Sequence, residues 1–214
     1  PFLSEPYRGE NRFESRIDVI FPVLHGPFGE DGTIQGLCKL AGIPCVGAGV
    51  LGSAAGMDKV VMKHLFQQNG LPLAPYLHFT RKKWASEETA ITERAARELG
   101  FPLFVKPANA GSSVGVGKVK ETSQLPQAVR CAARFDAKII LEKGISAREC
   151  ECAVLGNDDP IASVIGEVIP CHEFYDYEAK YLADGSKTLV PADIPDWASE
   201  RMREMAVSAF KAVD

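Results

Sequence analysis

Apolar and polar positions change rhythm several times along the chain, and each change predicts an element. RIDVIFPVLHG (16–26) is an apolar run suited to a buried strand, ending at His25-Gly26. The polar turn PFGEDG follows, then TIQGLCKLAG, short and helix-like, while PCVG (44–47) predicts a short buried strand. GMDKVVMKHLFQQNG predicts a helix closed by Gly70. APYLHFT predicts a strand, and SEETAITERAAREL an amphipathic helix with Ser86 as its N-cap. LFVKP is a strand, and GVGKV resumes an extended run beyond a glycine-rich loop. SQLPQAVRCAARF reads as a helix that tolerates Pro126 near its first turn. AKIILEKGI, ECECAVLG and IASVIGEVI are strand-rich, separated by turn residues such as GNDDP. EFYDYEAKYLADGSK is polar and aromatic, a long loop, and a last helix follows IPDW. Helices and strands alternate early and strands dominate later, so the predicted class is α/β passing into α+β.

Composition narrows this picture only modestly. A chain of 214 residues suits one large domain or two small ones sharing a cleft. It is 46% hydrophobic and 24% charged, ordinary values for a globular protein. A net charge of −4 argues against a general nucleic-acid binder. The six cysteines show no CxxC pair and no ligand-like spacing with histidine, so free, reduced, structural thiols are expected. A membrane-spanning run needs about 18 apolar residues; none is present, and neither is a basic-then-apolar leader. These features predict a cytoplasmic protein. The chain opens at Pro1 and stops at Asp214 within SERMREMAVSAFKAVD, a helical pattern with no closing glycine or proline, which leads us to expect a fragment.

The candidate chemistry sits in FVKPANAGSSVGVGKV (104–119), where Gly111, Ser112, Ser113, Gly115 and Gly117 crowd together ahead of Lys118. A phosphate loop of the G-x-x-x-x-G-K-[ST] type does not fit. Gly111 and Gly117 are one residue too far apart, Val119 stands where a hydroxyl is required, and strand-like KVK follows instead of a helix. GAGVLG (47–52) matches G-x-G-x-x-G, but no Asp or Glu occurs from Lys59 to Ser86 to hold a ribose, so a plain strand–helix turn accounts for it better. Ser112 lies in GSSVG, not G-x-S-x-G, and no nucleophile elbow follows it. What fits is a glycine hairpin between two strands. It could fold over a triphosphate with backbone N–H groups from Ser112 to Gly115, Lys106 supplying charge from the strand end. On its own residues the loop suits an ordinary flexible hairpin equally well.

Further segments shift that balance. HGPFGEDGTIQG (25–36), MDK (57–59), VKPANAGSSVGVGKV, LEKGISARECECAVLGN (141–157) and EFYDYEAKY (173–181) resemble, in order, the D-alanine–D-alanine ligases, ATP-grasp enzymes of bacterial cell-wall synthesis. The resemblance implies an ATP-grasp fold, with nucleotide held between two α+β subdomains and preceded by part of an α/β N-terminal domain. Residues 1–55 would be the remainder of the N-terminal substrate domain. Residues 56–143 would form the central subdomain with the phosphate loop, and 144–214 an incomplete C-terminal subdomain with a closing loop.

By the same resemblance Lys59 and Lys106 reach the ATP phosphates, and Ser113, Val114 and Gly115 cover them with backbone donors. Glu142, Lys143 and Ile145 match the linker that recognises adenine, its backbone pairing with the base and Ile145 supplying an apolar face. Glu149 takes the ribose hydroxyls, where an ionised acceptor suits two O–H donors. His25 helps hold the first D-alanine carboxylate. Ser112 hydrogen-bonds near the substrates, Tyr181 is linked to it, and Lys180 faces the γ-phosphate. Glu30 and Asp31 are expected to stabilise their turn. The implied cofactors are ATP and Mg2+, with the magnesium ligands expected beyond Asp214. The implied partners are small-molecule substrates, and a homodimer is expected. EAKY favours D-alanine over D-lactate as acceptor. The alternatives are another ATP-grasp carboxylate–amine ligase and a non-catalytic nucleotide-binding module.

Overall fold

The computed structural model describes residues 17–170 and 185–213. Three helices come first: α1 (Thr33–Ala41), α2 (Val50–Met57) and α3 (Lys59–Gln68). A central sheet follows, built from β1 (Tyr76–Thr80), β2 (Leu103–Pro107), β3 (Gly117–Val119) and β4 (Lys138–Lys143) in the order β1-β4-β2-β3, every pair antiparallel. Helix α4 (Arg81–Glu98) connects β1 to β2, and α5 (Leu125–Ala132) connects β3 to β4. Beyond them lie β5 (Glu149–Glu151), β6 (Val154–Leu155), β7 (Ile161–Ala162), β8 (Gly166–Ile169), β9 (Lys187–Leu189) and α6 (Asp196–Val213). Strands β5-β8-β9 and β6-β7 make two smaller antiparallel sheets. Among the described residues no helix is long and apolar enough to cross a membrane.

Side chains alternate across a pleated sheet, so a sheet covered on one side by helices needs every second residue apolar. Leu77 and Phe79 of β1, Leu103 and Val105 of β2, Val119 of β3, and Ile139 and Leu141 of β4 meet this need. They pack against Trp84, Ile91 and Ala95 of α4 and against Leu125, Val129 and Ala132 of α5. Those helical positions recur at intervals of three, four and seven, which places them on one stripe. Phe79 and Trp84 stack with ring centroids 5.4 Å apart. The intervening residues, Tyr76, His78, Phe104, Lys106 and Glu142, emerge on the opposite face, where α3 covers part of it through Val60 against Ile140 and Ala108.

Several local expectations need correction. The run at 16–26 does not form a regular strand in its described part: Ile20 makes one parallel bridge to Cys45, which is also all that PCVG contributes. Phe21 and Val23 are 70% and 74% exposed, because a lone bridge buries neither face of an extended segment. That bridge is the sole parallel pairing among the described residues, and the antiparallel sheets that follow it agree with the expected passage from α/β into α+β. Helix α4 starts at Arg81, not after Ser86. Thr80 ends β1 and caps the helix, its hydroxyl accepting the Lys83 N–H at 3.2 Å. Ser86 lies inside, donating to the Lys83 carbonyl, immediately before a kink at Glu87 (φ −134°, ψ 27°). The GAGVLG segment is a turn into α2, with Gly49 as N-cap. The EFYDYEAKY segment lies wholly outside the described residues, and Lys180 and Tyr181 with it.

Leu141 is fully buried on the helix-covered face while its neighbour Glu142 faces the other way. Leu141→Ala is expected to lower unfolding free energy by about 2–5 kcal/mol, the usual cost of such a core truncation, read from the midpoint of urea unfolding.

Candidate active site

Strands β2 and β4 set the first group of polar residues. Their register places Phe104 opposite Glu142 and Lys106 opposite Ile140, so Lys106 and Glu142 are diagonal neighbours on one face, within reach of long side chains. Helix α3 lies over that face. Asp58 caps it, accepting the N–H groups of Val60 (3.0 Å) and Val61 (3.1 Å), and pairs through its other oxygen with Lys138 at 2.6 Å. This end of the helix is thereby fixed to β4. Lys59 and Lys63, four apart on α3, share one helical side.

The Glu142 carboxylate is shared. Its Oε1 accepts from Lys63 and its Oε2 from Lys106. Burial pushes this carboxyl up, but the Lys106 charge and the hydrogen bonds from Lys106 and Lys63 outweigh that and hold it below the usual carboxylate range. Lys59 ends differently, donating to the Ala110 carbonyl at 2.5 Å and reaching toward that of Ala108 at 3.5 Å. Burial, and then the nearby Lys106 charge, pull its ammonium from 10.5 down to about 8. Three ammonium groups around one carboxylate leave an excess of positive charge in a partly buried site, a setting made for a multivalent anion.

The glycine hairpin rises directly from this nest. Its base is pinned by Lys59 N–H to the Ala108 carbonyl (3.0 Å) and by Asn109 N–H to Asp136 Oδ2 (2.7 Å). Ser112 and Ser113 both take positive φ, 51° and 57°, and the Val114 N–H donates to the Gly111 carbonyl at 3.1 Å. Two consecutive left-handed residues closed by such a bond form a type I′ turn, the hairpin turn whose twist suits flanking strands. The Val114 N–H is therefore engaged within the loop, and a phosphate role for it requires the turn to open. A Cβ on Gly111 would meet the Gly26 Cα at 2.9 Å, and one on Gly115 the Phe135 ring at 2.5 Å. The hairpin is wedged between the His25-Gly26 turn and Phe135.

That wedge frames a cavity of about 400 Å³ lined by His25, Gly26, Asn109, Gly111, Ser112 and Phe135, among others. Two predicted residues remote in sequence, His25 and Ser112, thus face one space. Glu30 and Asp31 shape its turn as expected: Glu30 Oε2 accepts the Gly26 N–H at 2.5 Å, and Asp31 accepts those of Phe28 (2.9 Å) and Thr33 (3.0 Å). Hydrogen bonds from Thr33 and Phe28 hold the Asp31 carboxyl below its ordinary value.

A second cavity of about 660 Å³ opens between the central sheet and β8, with Phe104, Lys118, Ile145, Arg148, Glu149 and Glu167 in its lining. Ile145 and Glu149 both line it. Lys143 does not line this cavity. It follows Glu142 on β4 and leaves on the opposite face, while its N–H is taken by the Pro75 carbonyl (2.9 Å). Phe104 joins the cavity to the lysine nest, with the ammonium groups of Lys106 and Lys118 at 5.5 and 5.7 Å from its ring centroid. Arg148 forks onto Glu167 (2.6 and 2.5 Å) and also donates to the Asp193 carbonyl, tying the segment after β4 to β8. Lys63, Phe104, Lys118 and the Arg148–Glu167 pair were not singled out as site residues by sequence reasoning. The i, i+4 spacing of Lys59 and Lys63 and the alternation Phe104, Lys106 were the available signals.

Comparison with known proteins gives the family and the fold. A family model described as "D-ala D-ala ligase C-terminus" matches residues 65–214, and one described as "D-ala D-ala ligase N-terminus" matches residues 4–48. The chain is 54% identical to a D-alanine–D-alanine ligase of Acetivibrio thermocellus over 96% of this chain and 54% of that relative. It is 52% identical to the one from Bacillus licheniformis over 94% of this chain and 56% of that relative. The chain thus spans about half the length of the curated relatives it matches. Among solved structures, the VanG D-Ala:D-Ser ligase from Enterococcus faecalis aligns with a TM-score of 0.82 and 40% identity over 93% of this chain and 57% of that one. The D-alanine–D-alanine ligase from Coxiella burnetii aligns at 0.78 and 34% over 92% and 51%. With paired antiparallel sheets around a lysine nest and this match over most of its length, the chain has the ATP-grasp fold and belongs to the D-alanine–D-alanine ligase family.

Proposed function

We propose that the protein carrying this sequence joins two D-alanine molecules at the expense of ATP, supplying D-alanyl-D-alanine for peptidoglycan. The observation that carries this reading is the excess positive charge of Lys59, Lys63 and Lys106 over Glu142 at the foot of a glycine hairpin. The hairpin opens beside a cavity faced by His25 and Ser112. Lys59 and Lys106 receive the triphosphate, Ile145 and Glu149 take the adenine and ribose, and His25 and Ser112 position the first D-alanine. A carboxylate is a poor electrophile at neutral pH, so activation comes first. A carboxylate oxygen of the first D-alanine attacks the γ-phosphorus, the bond to the β-phosphate oxygen breaks, and ADP leaves. The lysine charges stabilise the transferring phosphoryl group. The amine of the second D-alanine then attacks the acyl phosphate carbonyl, the C–O bond to phosphate breaks, and phosphate leaves as the amine loses its proton. Lys180 and Tyr181, outside the described residues, are assigned to the γ-phosphate side and to Ser112.

Magnesium is the natural companion of a triphosphate, yet the described residues hold no group of three or more His, Cys, Asp or Glu side chains able to bind a metal. One or two carboxylates together with the triphosphate oxygens suffice for magnesium, so ATP with magnesium remain the cofactors of this reading, and no step is routed through the ion. A homodimer in the cytoplasm completes the reading. The solved D-Ala:D-Ser ligase favours a second reading, in which D-serine is the acceptor. Phosphate release from ATP, measured with D-alanine alone and with D-serine or D-lactate added, separates the two. Release that needs no D-alanine overturns both.

Nucleotide binding gives a direct test of the phosphate site. Titration calorimetry is expected to show ATP binding to this chain, weakened at least tenfold, or about 1.4 kcal/mol, by Lys106→Ala. Unchanged affinity would mean the phosphates lie elsewhere.

Lys59 adds a pH signature. Bound triphosphate favours the protonated ammonium and raises its pKa above the value of about 8 in the free protein. Between those two values binding takes up a proton, so ATP affinity falls as pH rises above about 8. Lys59→Arg, permanently charged, is expected to lose that decline. A decline of equal slope in the variant would assign it to another group.

A further inference from the structure

Lys63 stands apart from the other two lysines of the nest. It is 7% exposed, and its ammonium is enclosed by the Glu142 carboxylate on one side and the Tyr76 ring, 5.1 Å to the centroid, on another. Tyr76 is itself backed by His78 at 6.4 Å, whose ring meets that of His64 at 5.6 Å. A side chain so enclosed does not reach an incoming ligand. Its influence passes through Glu142.

The carboxylate carries one unit of charge over two oxygens, and each oxygen serves one lysine. With Lys63 present, the trio keeps a net positive charge and Lys106 is only partly compensated. Without it, Glu142 and Lys106 form a closed, neutral pair in a partly buried setting, where such attraction is strong. A triphosphate would then have to compete with the carboxylate for the same ammonium. We propose that Lys63 is a positioning residue for the phosphate site: by occupying one oxygen of Glu142, it lets that carboxylate aim Lys106 without neutralising it. The Tyr76 ring keeps Lys63 on Glu142, because a cation over an aromatic face is held there without a second counter-charge.

This inference rests on ATP being the ligand, and the experiment separates the two ideas. ATP affinity is measured by calorimetry for the wild-type chain, Lys63→Met, Lys63→Arg and the double variant Lys63→Met/Glu142→Gln. Lys63→Met is expected to weaken ATP about tenfold and Lys63→Arg to stay within about threefold of wild type. The double variant is expected to recover most of the loss, since the carboxylate that captured Lys106 is gone. Urea unfolding of the same variants separates out a merely structural Lys63, for which loss and recovery of affinity would follow loss and recovery of stability. Lys63→Met binding as wild type does, or a double variant no tighter than Lys63→Met, overturns the inference. Absence of ATP binding in the wild type overturns the proposed function instead. If Lys63→Met melts below the assay temperature, all four proteins are titrated below its melting midpoint, with the same outcomes.

Discussion

Alternation of side chains across the central sheet governs most of what this chain does. The strands β1, β2 and β4 spend every second residue on an apolar face sealed by α4 and α5, and the residues between are released for chemistry. Leu141 and Glu142 are neighbours in sequence with opposite destinations, as are Val105 and Lys106. The apolar face gives the polar one its stiffness. A lysine held on a central strand of a packed sheet has little freedom to wander, and its ion pair is set by register instead of by chance encounter.

The charges on the polar face are arranged to be incomplete. Asp58 and Lys138 pair with each other and fasten α3. Arg148 and Glu167 do the same between the segment after β4 and β8. In the lysine nest, by contrast, one carboxylate serves two ammonium groups and a third ends on carbonyl oxygens. Structural ion pairs close on themselves, whereas a site that awaits an anion keeps charge in reserve. That difference in balance marks the nest more clearly than any single residue in it.

Much of this was legible in the sequence, for identifiable reasons. An apolar strand ending in Lys-Pro before clustered glycines announces a backbone that must turn tightly beside a charge, and Lys106 was found that way. His25 and Ser112 were placed by resemblance, and the fold brings them to one cavity. Lys63 was missed because a second lysine four residues along a helix looks like a solvated face. Its burial comes from Glu142, 79 positions further on, which no local pattern reports. Thr80 was read as the end of a strand, which it is, but the same residue also caps α4, and a one-role reading moved the helix start to Ser86. The apolar run before His25 shows the opposite failure: periodicity describes a surface fit for burial, not the neighbour that would bury it.

The contact between Gly111 and Gly26 carries a consequence of its own. Two loops meet there backbone to backbone, with no room for a Cβ on Gly111. The hairpin that leans over the lysines therefore has little room to move further toward the turn that presents His25. A push of one loop toward the other is transmitted by hard repulsion, which needs no hydrogen bond to carry it. The cavity between the two segments depends on their matching surfaces: a side chain at Gly111 would change its shape even if every other named side chain were preserved.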